Sequence, residues 1–224
     1  MYRRRALALA GAAAVGSLAG CAGSGGSGGS GGEGGQSLRA HPAAAGLDGL
    51  PRRGALDGHA VLTFEDPSCT RCRAFHEEVV PQIRSNIVEP GAGAYVLRTY
   101  PVVYPWGEPA TQALASTHAR SEPAFWSLLD RYFAEQDQFD ADNVLDRTEA
   151  FLDAETDLDG GAVVADAASE AHDEAVQDNL DAADAAGLGR TTPVVLLFRD
   201  GEYVTSANGS VSYDLIAETL GVDG

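Results

Sequence analysis

The chain has 224 residues and carries 33 Asp and Glu against 15 Lys and Arg, a formal net charge of -18 at pH 7. All 15 basic residues are Arg, and Asp outnumbers Glu 19 to 14. Such acidity argues against nucleic acid or an anionic membrane surface as a partner. The lack of lysine points instead to a protein that works in molar salt, where a Debye length of about 3 Å screens self-repulsion.

Residues 1–21 read as a leader. Arg3-Arg4-Arg5 make a basic start, and residues 6–18 form an apolar run too short to span a bilayer as a permanent helix. Leu18-Ala19-Gly20-Cys21 resembles a lipobox, which implies that Cys21 becomes an acylated N-terminus without a free thiol. The adjacent arginines resemble a twin-arginine export signal. Residues 22–54 are expected to form a flexible tether. Its first part is Gly and Ser with one Glu33, and its second part runs irregularly past Pro42 and Pro51. What remains is enough for one domain with its own core.

Residues 58–65 read as a buried strand built on Ala60, Val61, Leu62 and Phe64. Pro67-Ser68 stops it, and a helix is expected over 69–86, kinked at Pro81. At 100° per residue Cys69, Cys72, His76, Val79, Val80, Ile83 and Ile87 share one face. Pro90-Gly91-Ala92-Gly93 turns into a second strand over 95–100, and an aromatic loop runs over 101–109. Helices are predicted over 109–119, 122–135, 141–153 and 161–186, with starts at Ser121-Glu122-Pro123 and Asp140-Ala141-Asp142. Thr191-Thr192-Pro193 then leads into an apolar strand over 194–198. Arg199-Asp200-Gly201-Glu202 reads as a hairpin turn, 203–206 as its partner strand and 212–220 as a last amphipathic helix. The order is βαβ, a helical block, then ββα.

The chemistry concentrates on Cys69-Thr70-Arg71-Cys72. Attack on a disulfide needs a thiolate. A cysteine at a helix start has unpaired backbone N–H groups aimed at its sulfur. Arg71 and Arg73 add positive charge, and Glu65 and Asp66 oppose it. A depressed Cys69 pKa, set mainly by helix position, is therefore expected, with Cys69 reachable by solvent and Cys72 one turn in, more covered, as the resolving thiol. A zinc site is the competing reading, with His76 as a third ligand on the same face, but no second Cys pair exists to complete it. A purely structural disulfide gains little from so short a loop. His76 reads as a packed helix residue, and Trp106 and Trp126 as core or groove residues.

The segment 64–81, from Phe64-Glu65-Asp66-Pro67-Ser68-Cys69-Thr70-Arg71-Cys72 to Pro81, resembles the active-site segment of DsbA-like thioredoxin-fold thiol–disulfide oxidoreductases. Gly189-Arg190-Thr191-Thr192-Pro193-Val194 resembles their cis-proline loop. The resemblance implies an α/β thioredoxin fold with an inserted helical domain, the thioredoxin-like part over 55–106 and 187–224 and the insertion over 107–186. It implies Cys69 and Cys72 as the catalytic, redox-active pair and Thr192 and Pro193 as the substrate-binding loop. Asp66, Arg71, Arg73 and His76 form the surroundings. No cofactor or metal is implied. The partners implied are exported protein thiols or disulfides and a membrane or soluble redox partner. The chain would be a monomer, lipid-anchored on the extracytoplasmic face of the membrane. The alternative is a metal-binding or client-holding module without turnover. Two departures stand out: Thr70-Arg71 replaces the family's Pro-His or Pro-Tyr, and Thr63 stands where many relatives keep a buried carboxylate. The dipeptide tunes redox potential, so the sequence leaves oxidase, reductase and isomerase open.

Overall fold

The computed structural model describes residues 35–209 and 211–222. The leader, Cys21 and the Gly/Ser run up to residue 34 lie outside the described residues.

Five strands form one sheet in the order β1-β3-β2-β4-β5: β1 (Arg52–Gly54), β2 (His59–Glu65), β3 (Gly93–Thr99), β4 (Val194–Arg199) and β5 (Glu202–Asn208). β2 and β3 are parallel, and every other pair is antiparallel. β2, β3 and β4 are covered on both faces, which is why they read as continuous apolar runs rather than alternating ones. Alternation along each strand sets the two faces. Val61, Tyr95, Leu97, Val195 and Leu197 enter one core, and Leu62, Phe64, Val96, Leu196 and Phe198 enter the other. The β4–β5 hairpin turns through Asp200 and Gly201, both at positive φ, as the Asp-Gly pair predicts.

The helix expected over 69–86 is broken. It runs as α1 (Thr70–Glu78), a four-residue α2 (Val80–Ile83) and one π turn over Arg84–Val88. Pro81 has no N–H for the Glu77 carbonyl, so the break falls just before it. The shared apolar face survives: Cys72, Ile83 and Ile87 are fully buried.

The helical block comprises α3 (Gly107–His118), α4 (Glu122–Ala134), α5 (Val144–Glu155), α6 (Gly160–Ala168) and α7 (Asp173–Ala185). The long helix expected over 161–186 is thus two, turning at Glu170, which sits at φ 53°. Both halves touch α3, but each also meets partners the other does not. α6 lies against α3 and α5, while α7 lies against β3 and the N-terminal segment. The closing helix α8 (Tyr213–Leu220) packs on β4, on the same face as α1.

The second half of the expected tether is folded instead. Three 3₁₀ turns at Leu38–Ala40, Pro42–Ala44 and Leu47–Gly49 bury Leu38, Ala43 and Leu47 against the sheet, and β1 pairs with β3. The physical reason is Arg98 on β3, which is 1 % exposed. Its guanidinium donates to the Ala43 carbonyl at 2.8 Å, to the Ala45 carbonyl and to Asn179 Oδ1 of α7 at 2.6 Å. Few apolar residues suffice to hold the segment because a buried cation binds its carbonyls.

Candidate active site

The site sits where the C-terminal end of β2 meets the start of α1. Cys69 is the N-cap residue of α1, with extended backbone angles. The N–H groups of Arg71 and Cys72, unpaired at the helix start, favour its ionised form. The Thr192–Pro193 peptide bond is cis, and the Thr192 carbonyl oxygen lies 3.5 Å from Cys69 Sγ. The structure thus brings Cys69, Cys72, Thr192 and Pro193 to one point, and both cysteines are free thiols.

Cys69 is pushed down to about 5. The largest cause is the hydrogen bond from the Cys72 thiol, with Thr192 and the helix-start N–H groups of Cys72 and Arg71 behind it. Helix position is therefore a contributor and not the leading one. Cys72 is held far above the ordinary thiol range, first by burial and then by its bond to Cys69. The two thiols split into a thiolate and a protonated partner.

Cys69 was expected to face solvent, yet it is only 3 % exposed. The Thr192 carbonyl lies against it, and the aromatic loop after β3 closes in beside the turn that carries it. Its sulfur belongs to the apolar cluster on this face of the sheet but meets the Thr192 carbonyl and the Cys72 thiol there. A cavity of about 470 Å³ opens beside it, lined by Ser68, Thr70, Tyr104, Trp106, Gln136 and Phe139.

Asp66 is fully buried and organises the loop. Its Oδ1 accepts from the Ser68 N–H at 2.7 Å and the Ser68 hydroxyl at 2.6 Å. Its Oδ2 accepts from the N–H groups of Val102 and Val103, both at 2.7 Å. Ser68 Oγ in turn accepts from Tyr104 N–H at 3.1 Å. Burial still pushes the Asp66 carboxyl upward. Arg73 is ion-paired with Asp137 at 3.1 Å, so its charge is spent there and not on Cys69. Arg71 is exposed, its guanidinium reaching over Gly209 beyond the cis-proline strand. His76 bonds Asp130 at 2.6 Å and stacks on Phe133. Among the described residues no group of three His, Cys, Asp or Glu side chains is placed to hold a metal ion. Trp106 walls the cavity, and Trp126 is a core residue under Arg53.

Three residues escaped the sequence reading. Glu65, read there only as an opposing charge, is a buried carboxylate, 1 % exposed, within Coulombic reach of both cysteines. It supplies the acid that Thr63 lacks, two residues along the same face of β2. Tyr95 donates to Glu65 Oε1 at 2.6 Å, and Thr63 Oγ1 donates to the Tyr95 hydroxyl at 3.3 Å. Burial pushes the Glu65 carboxyl up. The third is Gln136, whose Nε2 donates to the carbonyls of Pro67 and Cys69 at 2.8 and 3.1 Å, tying the helical block to the turn. Strand alternation alone signals Glu65, whereas nothing local signals Gln136.

A family model described as Thioredoxin matches residues 52–214. Among solved structures, oxidised BdbD of Bacillus subtilis superposes with a TM-score of 0.69 at 17 % identity, covering 84 % of this chain and 95 % of that one. Wolbachia pipientis alpha-DsbA1 superposes with a TM-score of 0.62 at 18 % identity, covering 77 % of this chain and 89 % of its own. The catalytic domain of Proteus mirabilis ScsC gives 0.60 at 20 % identity, covering 81 % and 96 %. No curated protein matches the chain in sequence.

Proposed function

Because the chain belongs to the thioredoxin family, with the fold of the DsbA-type structures, we propose that it is a protein thiol–disulfide oxidoreductase whose reacting pair is Cys69 and Cys72. The observation that carries this is the division between the two thiols: a thiolate at Cys69, braced by the Cys72 thiol and the N–H groups at the helix start, and a protonated Cys72 behind it.

The Cys69 thiolate attacks a client disulfide and forms a mixed disulfide. Cys72 then gives its proton to Glu65 and attacks Cys69 sulfur, and the client sulfur leaves with the electron pair. The reverse sequence delivers the Cys69–Cys72 disulfide to a client dithiol. A stabilised thiolate favours the reduced pair, so the disulfide form gives up its bond readily and the protein acts as a disulfide donor. Thr192 and Pro193 present backbone to the client, and the cavity beside Ser68 and Tyr104 receives its flanking residues.

The leader supports export and acylation at Cys21, placing the domain on the extracytoplasmic face, where its clients are exported proteins and a membrane or soluble partner restores its redox state. The lysine-free, acidic composition supports work in molar salt. The experiment is oxidative refolding of a reduced substrate in molar salt, together with the potential of the pair against glutathione. Catalysed refolding that Cys69→Ser abolishes is expected. A wild-type protein that neither exchanges with glutathione nor oxidises the substrate would refute the reading.

A further inference from the structure

The exchange leaves a proton on Glu65, which is buried among apolar residues, and each turnover must return it to solvent. One Glu65 oxygen accepts from Tyr95. The other, Oε2, is buried and finds no protein partner. His76, on the same face of α1 as both cysteines, presents the matching feature. Its Nε2 lies 2.6 Å from Asp130 Oδ1. A neutral imidazole that donates from Nε2 keeps a lone pair on Nδ1, and this Nδ1 is likewise buried and unpartnered. The two groups are within Coulombic reach of each other. Orphaned buried polar atoms are rare and are usually joined through water. On its other side His76 reaches solvent. With Asp130 it lines a surface cavity of about 190 Å³, whose wall also holds Arg53, Val80, Arg84 and Phe133.

Resting on the thiol–disulfide reading above, we propose that His76, oriented by Asp130, is the proton exit of the site, carrying the proton of Cys72 from Glu65 to solvent. Cys72 S–H gives its proton to the Glu65 carboxylate as the Cys69–Cys72 bond forms and the Cys69–client bond breaks. Glu65 O–H passes the proton by way of bridging water to His76 Nδ1. The imidazolium releases its Nε2 proton beside Asp130 into the cavity. When the pair donates its disulfide, the same route runs inward and reprotonates Cys72. The charged groups facing His76 are Glu65 from β2, Asp130 from α4, Arg53 from β1, Arg84 from the π turn and Glu77 on its own helix. His76 is a relay residue and touches neither sulfur of the client bond.

The test uses the full chain and Ellman's reagent. Attack by Cys69 releases a first thionitrobenzoate, and resolution by Cys72 releases the second. Wild type shows both phases. His76→Gly is expected to keep the first and slow the second about tenfold or more, and added imidazole, which the open cavity admits, restores it. His76→Gln, if the glycine variant does not fold, slows the second phase alike without imidazole rescue. A second phase unchanged in a folded variant, or slowed in His76→Gly but deaf to imidazole, overturns the relay and marks His76 as a packing residue. A wild type with no second phase overturns the exchange reading itself, and the relay with it.

Discussion

Cys69 Sγ and the carbonyl oxygen of Thr192 lie 3.5 Å apart although 123 residues separate them in the chain. The contact joins the start of α1 to the cis-proline loop.

The Cys69 thiolate sets the first measurable consequence. Alkylation of the reduced protein should rise with pH through a midpoint of about 5. Cys72→Ala removes the leading donor. Since a hydrogen bond to a charged group is worth about 1.5–3 kcal/mol, the midpoint should climb by about one to two pH units. An unmoved midpoint would show that the helix start alone ionises Cys69.

The same group gives stability a pH slope. Its folded value lies below its unfolded one, so between the two the folded chain binds fewer protons. The reduced protein should gain stability from about pH 5 up to the ordinary thiol range and lose it as pH falls through about 5. The oxidised protein has no thiolate and lacks this slope. Melting temperatures of the two forms across that window check it, with the gap widening towards higher pH.

Glu65→Gln keeps the shape and removes the base. Resolution of a mixed disulfide at neutral pH should slow by about a hundredfold. Burial raises the Glu65 carboxyl, so its ionisation costs stability as pH rises. The glutamine variant should therefore melt higher than wild type at neutral pH, with the difference vanishing in acid. A faster or unchanged resolution step would remove Glu65 from the mechanism.

Gly107 is required by a close approach. A Cβ there would lie 2.5 Å from Asp66 Oδ1 and 2.8 Å from Ser68 Oγ. Gly107→Ala should cost about 1–3 kcal/mol by overpacking and loosen the loop that Asp66 holds through Val102 and Val103. Thermal melting and the rate of exchange with a peptide disulfide should fall together.

Arg98→Met should release the N-terminal segment. It leaves the Ala43 and Ala45 carbonyls and Asn179 without their donor, a loss of about 3 kcal/mol. Limited proteolysis should then cut within residues 38–49, where wild type resists.

How much was legible follows from range. The Cys69–Cys72 spacing, the buried strands, the Asp200-Gly201 turn and the Thr192-Pro193 loop are local patterns, and a chain reads its local patterns directly. The elements of the βαβ and ββα halves and their order followed from these. The division of 161–186 into α6 and α7, the folding of residues 38–54 and the broken helix after Glu78 depended on partners distant in the chain or on how the backbone accommodates Pro81.

By itself the amino-acid order determined which thiols share a helix start, because that start and a two-residue spacing are properties of a few neighbouring residues. Only the tertiary structure decided how the thiols are poised. The Thr192 carbonyl, the Glu65 carboxylate and the His76–Asp130 pair come from four separate elements, and the free energy of an ion in a low-dielectric interior depends on what surrounds it in space.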